Sequence, residues 1–104
     1  MKVRILSPAL EEIADAAVWY DSQRFGLGRK FWELVDAELT RIESNPQAFG
    51  RSEFATQDLD IRFAVIGRFN YVVHFLIASE EVQIISVAHG ARKPGHWLRR
   101  IATR

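Results

Sequence analysis

The chain contains no cysteine, no long apolar run and no marked excess of charge of either sign. Without cysteine, neither a disulfide framework nor a thiolate metal site can form. A membrane helix needs about 20 consecutive apolar residues, and no segment approaches that length. The opening MKVRILSPALEEI also lacks the apolar core and small-residue cleavage site of a signal peptide. We therefore expect a soluble cytoplasmic protein.

The sequence has equally little that points to a bound ion or cofactor. Its three histidines, His74, His89 and His96, lack the spacing of metal ligands and have no evident carboxylate companions. Gly26 and Gly28 suggest a phosphate-binding loop only superficially, because no strand precedes them and the third glycine is missing. We predict no metal site and no cofactor.

What is present is ordinary globular composition. Of 104 residues, 48% are apolar and 26% are charged, which supports one core and argues against disorder. We expect a single domain spanning residues 1–104. The formal net charge of +1 hides an uneven distribution, because residues 92–104 contain five cations and no acid. Such a segment attracts an acidic partner, either polypeptide or nucleic acid.

Three strands are predicted in the second half of the chain. They are rich in β-branched and aromatic residues and are separated by the short turns Gly67-Arg68 and Ser79-Glu80-Glu81. Turns this short join only antiparallel neighbours, so these strands form a meander. Their predicted bounds are Ile61–Ile66, Phe69–Ala78 and Val82–His89.

The first half predicts one strand and two helices. Lys2–Leu6 alternates like an edge strand, and Ser7-Pro8 then starts a helix, with Ser7 as its N-cap, that ends near Arg24. A second helix runs from about residue 29 to the Asn45-Pro46 stop. The predicted apolar stripe of the first helix is Leu10, Ile13, Ala14, Ala17 and Tyr20, and that of the second is Phe31, Leu34, Val35, Leu39 and Ile42.

The architecture that follows is α+β, a helix hairpin packed on one face of a small antiparallel sheet. Residues 47–60 have no sustained period and are predicted to be a loop. Pro94 can open a last short helix, in which Trp97, Leu98 and Ile101 pack while Arg99 and Arg100 stay exposed.

The residues that could carry chemistry lie on the meander and just after it. Ile61, Phe63 and Val65 share one face of their strand, and Arg62 lies on the other. Gln83, Ile85, Val87 and His89 share one face of the last strand. A surface holding Arg62, Arg68, His89 and Arg92 would suit a phosphodiester or an acidic peptide.

Each of these residues also has a simpler interpretation. In a ribonuclease-like site, the arginines would stabilise a phosphorane and His89 would move a proton. Alternatively, Arg62 is a surface ion-pair partner and His89 hydrogen-bonds the backbone at a strand end. Trp97 is either a packing anchor or a contact residue, and Trp19 and Trp32 belong to the helix seam or to a docking surface.

The assembled pattern resembles the RelE/ParE superfamily of type II toxin–antitoxin toxins, most closely its ParE branch, which includes plasmid stabilisation proteins. The matching pieces are the strand followed by SPALEEI, the GLGRKFWELVDAEL turn and helix with its IESNP stop, RFAVIGRFNYVVHFLI, and VAHGARKP with Trp97 after it. The resemblance implies a β-α-α-β-β-β(-α) fold.

The resemblance also implies a growth-inhibiting toxin that a small acidic antitoxin neutralises. ParE-like members inhibit DNA gyrase without being enzymes, and RelE-like members cut mRNA on the ribosome. HGARKP favours the ParE branch. The implied target-binding residues are Arg62, Arg68, His89, Arg92, Lys93 and Trp97. The implied antitoxin-binding residues are Trp19, Trp32, Arg99 and Arg100. In the ribonuclease alternative the catalytic residues would be Arg62, Arg68 and His89.

A third hypothesis is a toxin-fold protein without activity, which serves as a binding module. We also expect that removing the residues after Gly95 impairs toxicity more than it unfolds the domain.

Overall fold

A computed structural model describes residues 1–101 of the chain. Four strands and two α-helices follow one another in the predicted order. The elements are β1 (Lys2–Ile5), α1 (Ser7–Gln23), α2 (Leu27–Ser44), β2 (Asp60–Ile66), β3 (Tyr71–Ile77) and β4 (Glu81–His89), with single 3₁₀ turns at Pro46–Ala48 and Leu98–Arg100. No helix in the described part of the chain is long and apolar enough to cross a membrane.

The four strands form one mixed sheet in the order β1-β4-β3-β2. β3 is antiparallel to both β2 and β4, as the meander predicted, whereas β1 is parallel to β4, so the sheet is mixed rather than wholly antiparallel. β1 lies at the edge and pairs in parallel with the first half of β4, from Lys2 opposite Glu81 to Ile5 opposite Ile84. The edge position of β1 is therefore confirmed.

The helix hairpin covers one face of this sheet, also as predicted. Its core is apolar and includes the buried side chains of Ile13, Phe31, Val35, Val73 and Phe75. Gly28 lets the helices approach closely, since a Cβ atom there would lie 2.3 Å from the carbonyl oxygen of Ala17. A side chain at this position would force the two helices apart.

The start of α1 differs from the prediction. Ser7 is the first helical residue rather than the N-cap, which is Leu6, and no side chain caps the helix. The reason is that the N–H of Leu6 still bonds to the oxygen of Ile84, which keeps the chain extended to that point. The buried stripe of α1 also differs from the prediction, since Leu10 is 46% exposed. Ala14 is also exposed, and the buried residues of α1 are Ala9, Ile13, Ala16 and Ala17.

A β-bulge in β4 changes which face of the sheet its later side chains point to. His74 pairs with Ser86 whereas Phe75 pairs with Ile84, which leaves Ile85 without a partner on β3. Beyond the extra residue, each side chain of β4 points to the opposite face of the sheet from the one that regular alternation would give. Val87 therefore packs against the helices, and Ile85 packs on the opposite face of the sheet. The prediction that Ile85, Val87 and His89 share one face was wrong for this reason.

The face of the sheet away from the helices, here called the reverse face, is half covered by the chain itself. Trp97 is 1% exposed and packs with Ile61, Leu76 and Ile85. Phe54, from the segment before β2, meets the Trp97 ring edge to face at 5.6 Å. The predicted terminal helix is a single 3₁₀ turn. Trp97 and Ile101 pack as predicted, but Leu98 is 39% exposed.

Candidate binding site on the reverse face

Side chains on the reverse face lie in three rows across the strands. Ile61 and Leu76 form the first row, which Trp97 covers. Phe63, His74 and Ser86 form the second row, beside Trp97. Val65, Val72 and Ala88 form the third row. Val65 is 54% exposed and Ala88 is 6% exposed, so the third row is open to solvent at its β2 end.

A pocket of about 370 Å³ lies over the second and third rows. We call it the reverse-face pocket. Aromatic and apolar side chains form most of its walls, and the exposed cations Arg92 and Lys93 and the exposed acid Glu53 also line it. Its lining includes Phe54, Phe63, Val72, His74, Ala88, His89, Arg92, Lys93, His96 and Trp97. Pockets with apolar walls and a few convergent polar groups are the usual form of a binding site.

His74 forms part of the pocket wall in its neutral form. Its ring lies 4.5 Å from the centre of the Trp97 ring, at 32° to it, and 6.5 Å from that of Phe63. Burial, reinforced by the nearby His96, lowers the pKa of His74 to about 4. His74 is thus a packed, uncharged residue at neutral pH.

A second groove of about 380 Å³ lies along the side of β4. We call it the edge groove. His89 and Arg92 line both the edge groove and the reverse-face pocket, so they form the ridge between the two. The remaining lining residues of the edge groove are Glu12, Asp15, Ala16, Trp19, Tyr71, Val87 and Ala88.

His89 has a defined tautomer on this ridge. Its Nδ1 accepts a hydrogen bond of 3.0 Å from the N–H of Ala91, so the neutral ring carries its proton on Nε2. Tyr71, directly opposite on β3, meets the His89 ring edge to face at 5.6 Å. Burial and the neighbouring Tyr20 raise the pKa of Tyr71, so its hydroxyl stays protonated at neutral pH. The ridge thus offers hydrogen-bond donors beside the cation of Arg92.

Glu12 fixes the C-terminal segment to the side of the sheet. Its two carboxylate oxygens each accept a hydrogen bond of 2.9 Å from Arg100, and Oε1 also accepts the N–H of Val87 at 2.9 Å. Arg100 further donates to the carbonyl of Ile85 at 3.1 Å. Burial alone would raise the pKa of Glu12, but the bonds from Arg100 and Val87 hold that pKa below its ordinary value. We call this pair the Glu12–Arg100 clamp.

Ser86, His96 and Glu12 lie close together without forming a hydrolytic triad. The Ser86 hydroxyl and the Glu12 carboxylate both approach Nε2 of His96, at 3.4 and 3.6 Å. A triad needs the carboxylate on the other ring nitrogen, which here lies 3.1 Å from the carbonyl of Lys93. Ser86 is also fully buried, so a substrate could not reach it.

Arg62 is not part of the predicted cationic surface. Its guanidinium bonds to Asp60 at 3.0 Å and to the carbonyls of Phe49 and Gln47 at 2.7 and 3.0 Å. Only 17% of the side chain is exposed. His89 is level with Ile66 on β2. Arg62 is thus four residues farther along, or about 13 Å at the rise of a strand. The expectation that Arg62 and His89 share one surface was wrong, because Arg62 holds the loop before β2 instead.

The other predicted target-binding residues divide between two places. His89, Arg92, Lys93 and Trp97 all line the reverse-face pocket. Trp97 does so as a buried packing anchor. Arg68 lies in the turn at the same end of the sheet, but its guanidinium carbon sits 5.8 Å from the centre of the Phe69 ring, and it lines neither the pocket nor the edge groove.

The predicted antitoxin-binding residues are not brought together. Trp19 is 58% exposed and lines the edge groove on α1, whereas Trp32 is 38% exposed on α2 and does not line that groove. Arg99 is exposed as predicted. Arg100 is not: 19% of its side chain is exposed, because the guanidinium is bound to Glu12.

Three residues that shape this region were not predicted as site residues. Glu12 lies near the start of α1 and joins α1, β4 and the C-terminal segment. Phe54 and His96 reach the pocket from segments without a regular period. Within residues 1–101, no cluster of histidine, aspartate and glutamate is arranged to hold a metal ion.

Comparisons with known proteins bear on the fold. No protein-family model and no curated protein matches this sequence. The structure is similar to a chain of the chromosomal ParDE TA system from P. aeruginosa, with a TM-score of 0.62 and 17% sequence identity. The similarity covers 86% of this chain and 95% of the other. The chain thus has a RelE/ParE-like α+β fold, as the sequence resemblance predicted.

Proposed function

We propose that this chain is the toxin of a type II toxin–antitoxin pair, that a small acidic antitoxin neutralises it, and that its target is DNA gyrase. The observation that carries the proposal is the RelE/ParE-like fold, shared over 86% of the chain with a component of a ParDE TA system. Because a fold does not determine a function, the proposal needs a surface that could act on a partner.

The reverse-face pocket supplies such a surface. It combines the exposed aromatic side chain of Phe63 with the exposed cations Arg92 and Lys93. Apolar surface rimmed by charge is typical of sites that bind other macromolecules. Gyrase and its DNA substrate present acidic and phosphate groups that these cations could meet.

Gyrase is preferred to mRNA because of where the arginines lie. The ribonuclease alternative requires Arg62, Arg68 and His89 at one phosphodiester. Arg62 is held by Asp60 four residues farther along the sheet than His89, and Arg68 lies over Phe69. Neither of these arginines lines a pocket or groove with His89, so the two groups that this alternative assigned to the phosphorane are not beside the histidine. A binding toxin needs no such constellation.

One observation favours the ribonuclease alternative. His89, Arg92 and Lys93 line a pocket whose walls are aromatic, and bases stack on aromatic side chains. In this alternative His89 would transfer a proton through Nε2, since Nδ1 is occupied by Ala91. The alternative predicts cleaved transcripts after induction, and loss of cleavage in His89→Ala.

The experiment that tests the proposal is controlled expression of the gene with and without its neighbour. We expect growth arrest with a DNA damage response when it is expressed alone, and rescue by the neighbouring product. With purified gyrase, we expect inhibited supercoiling and linearised plasmid. Normal supercoiling at excess protein would contradict the gyrase target. Normal growth would contradict the toxin itself and favour an inactive binding module.

A matched pair of variants tests whether the reverse-face pocket is the surface that contacts the target. Arg92→Glu reverses a charge at the mouth of the pocket, and we expect it to weaken target binding roughly tenfold or more. Lys30→Glu makes the same change at an exposed position on α2 and should have little effect. Equal activity of the two variants would show that the pocket is not the contact surface.

A further inference from the structure

The side of β4 is only half covered by β1. Their pairing ends at Ile84, and the N–H of Leu6 makes the last backbone bond there, at 3.0 Å. The chain then turns into α1. Among residues 1–101, no strand pairs on this side with the remaining part of β4, residues 85–89. We call this part the open edge.

Side chains bond two backbone groups of the open edge. Glu12 accepts the N–H of Val87, and Arg100 donates to the carbonyl of Ile85. These are the bonds that a neighbouring strand would otherwise make. The Glu12–Arg100 clamp therefore occupies the near half of the open edge and leaves the far half, from Val87 to His89, accessible along the edge groove.

The far half presents a donor and an acceptor to an incoming strand. Alternate residues of an antiparallel strand direct their backbone groups to the same side. Since the N–H of Val87 points outward to Glu12, the carbonyl of Val87 and the N–H of His89 also point outward. The backbone of Gly90 is consistent with this alternation, because its N–H points the opposite way, toward the turn before β3, and lies 2.8 Å from the oxygen of Asn70.

We propose that an extended segment of the partner protein pairs with β4 from Val87 to His89. The partner is the antitoxin, so the inference rests on the proposed function and specifies the surface that is recognised. Unpaired strand edges bind extended peptides through their backbone groups, and the flanking pockets choose the side chains.

The two sides of the open edge determine what the segment must look like. Successive side chains of a strand point to opposite faces. On the helix side they would meet Ala16, Trp19 and Tyr71 in the edge groove, and on the reverse face they would meet Arg92 and Lys93. The segment should therefore alternate apolar and acidic residues.

Occupation of the open edge would also affect the reverse-face pocket. His89 and Arg92 form the ridge between the pocket and the edge groove. A strand paired with His89 covers this ridge, and its acidic side chains neutralise Arg92. Neutralisation would thus follow from direct covering of the target-binding residues, and no conformational change is needed.

The test uses the purified chain and two acetylated peptides, one that alternates leucine with glutamate and one that alternates leucine with lysine. We expect the acidic peptide to bind and to slow hydrogen exchange of the His89 amide at least roughly tenfold, because that amide becomes hydrogen-bonded. The basic peptide should bind roughly tenfold more weakly or worse. Absence of binding by the acidic peptide, unchanged exchange at His89 in the bound state, or equal binding of the two peptides would overturn the proposal.

Two tryptophan variants distinguish peptide binding at the open edge from binding elsewhere on the helix hairpin. Trp19→Ala removes the exposed ring of the edge groove, and we expect roughly tenfold weaker peptide binding. Trp32→Ala removes the exposed ring of α2 and should leave the affinity unchanged. Equal weakening in both variants would place the peptide elsewhere. These measurements need no toxicity, so their failure can be distinguished from failure of the proposed function, which growth arrest tests.

Discussion

The two halves of the reverse face are made by the same strands but have opposite roles. In one half, Ile61 and Leu76 are buried beneath Trp97, which is 1% exposed. In the other, Val65 is 54% exposed and Phe63 is 37% exposed. The covered half belongs to the core, and the open half is surface available to a partner. The difference shows that the C-terminal segment has a structural part and a binding part, which meet at the pocket.

The largest expected effect is on the covered half. Trp97→Ala should lower the free energy of unfolding by about 3–5 kcal/mol, because it removes a fully buried ring and leaves a cavity. Chemical denaturation measures the change. Trp19→Ala, at a position 58% exposed, is the control and should change stability by less than about 0.5 kcal/mol. Similar small losses in both variants would show that the C-terminal segment is not part of the core.

Removal of the residues after Gly95 follows the same reasoning. The sequence suggested that this deletion would spare the fold. Because Trp97 and Ile101 are buried, we now expect the truncated chain to lose its cooperative thermal transition. A truncated chain that melts like the full one would restore the earlier expectation.

The next largest effect concerns the Glu12–Arg100 clamp. Glu12→Gln should cost about 2 kcal/mol of stability, since it leaves the partly buried guanidinium without its counter-charge. The matched control is Glu33→Gln, which breaks the exposed pair with Arg29 and should cost less than about 0.5 kcal/mol. Thermal unfolding at pH 7 compares the two. Equal costs would mean that the clamp contributes no more than a surface ion pair.

A pH titration addresses His74, which lies between the two halves. Its pKa is about 4 in the folded chain against 6.5 in the unfolded chain, so the unfolded chain binds more protons between these values. Stability should therefore fall as the pH drops from 6.5 to 4, by on the order of 3 kcal/mol from this residue, and should not depend on it above pH 6.5. Unfolding of His74→Phe over the same range should show a flatter profile, and an identical profile would contradict the assignment.

The smallest effect on stability is expected in the open half. Val65→Glu places a charge on the exposed third row and should change stability by about 0.5 kcal/mol or less. It should nevertheless weaken growth arrest, because the added charge opposes contact with an acidic target. Val18→Glu, at a residue 72% exposed on α1, is the control. If both variants arrest growth equally, the open half is not the target surface.

The fold could be predicted from the sequence wherever local signals agreed with the packing. The periodicity of Phe31, Val35 and Ile42 indicated the buried face of α2, and short turns fixed the meander. The start of α1 could not be placed, because a bond between Leu6 and Ile84 decides where the strand ends. That bond joins residues far apart in the sequence, and no local pattern reports it.

The site was predicted only in part, for a similar reason. His89, Arg92 and Lys93 are neighbours in the sequence and remain together in the pocket. Arg62 was wrongly assigned to the surface of His89, because its guanidinium binds carbonyls of the loop before β2. An irregular segment has no sequence pattern that predicts such contacts. Trp19 and Trp32 look alike in the sequence but lie on different parts of the helix hairpin.

The bulge at Ile85 gives β4 a property that a regular strand lacks. Before the bulge the helices receive Val82 and Ile84, and beyond it they receive Val87 instead of a residue of even number. Deleting one residue here would keep almost the whole composition, yet it would reverse the orientation of everything up to His89. The orientation of the exposed His89 side chain thus depends on a single inserted residue. A homologue of equal hydrophobicity that lacks this insertion should therefore bind different partners.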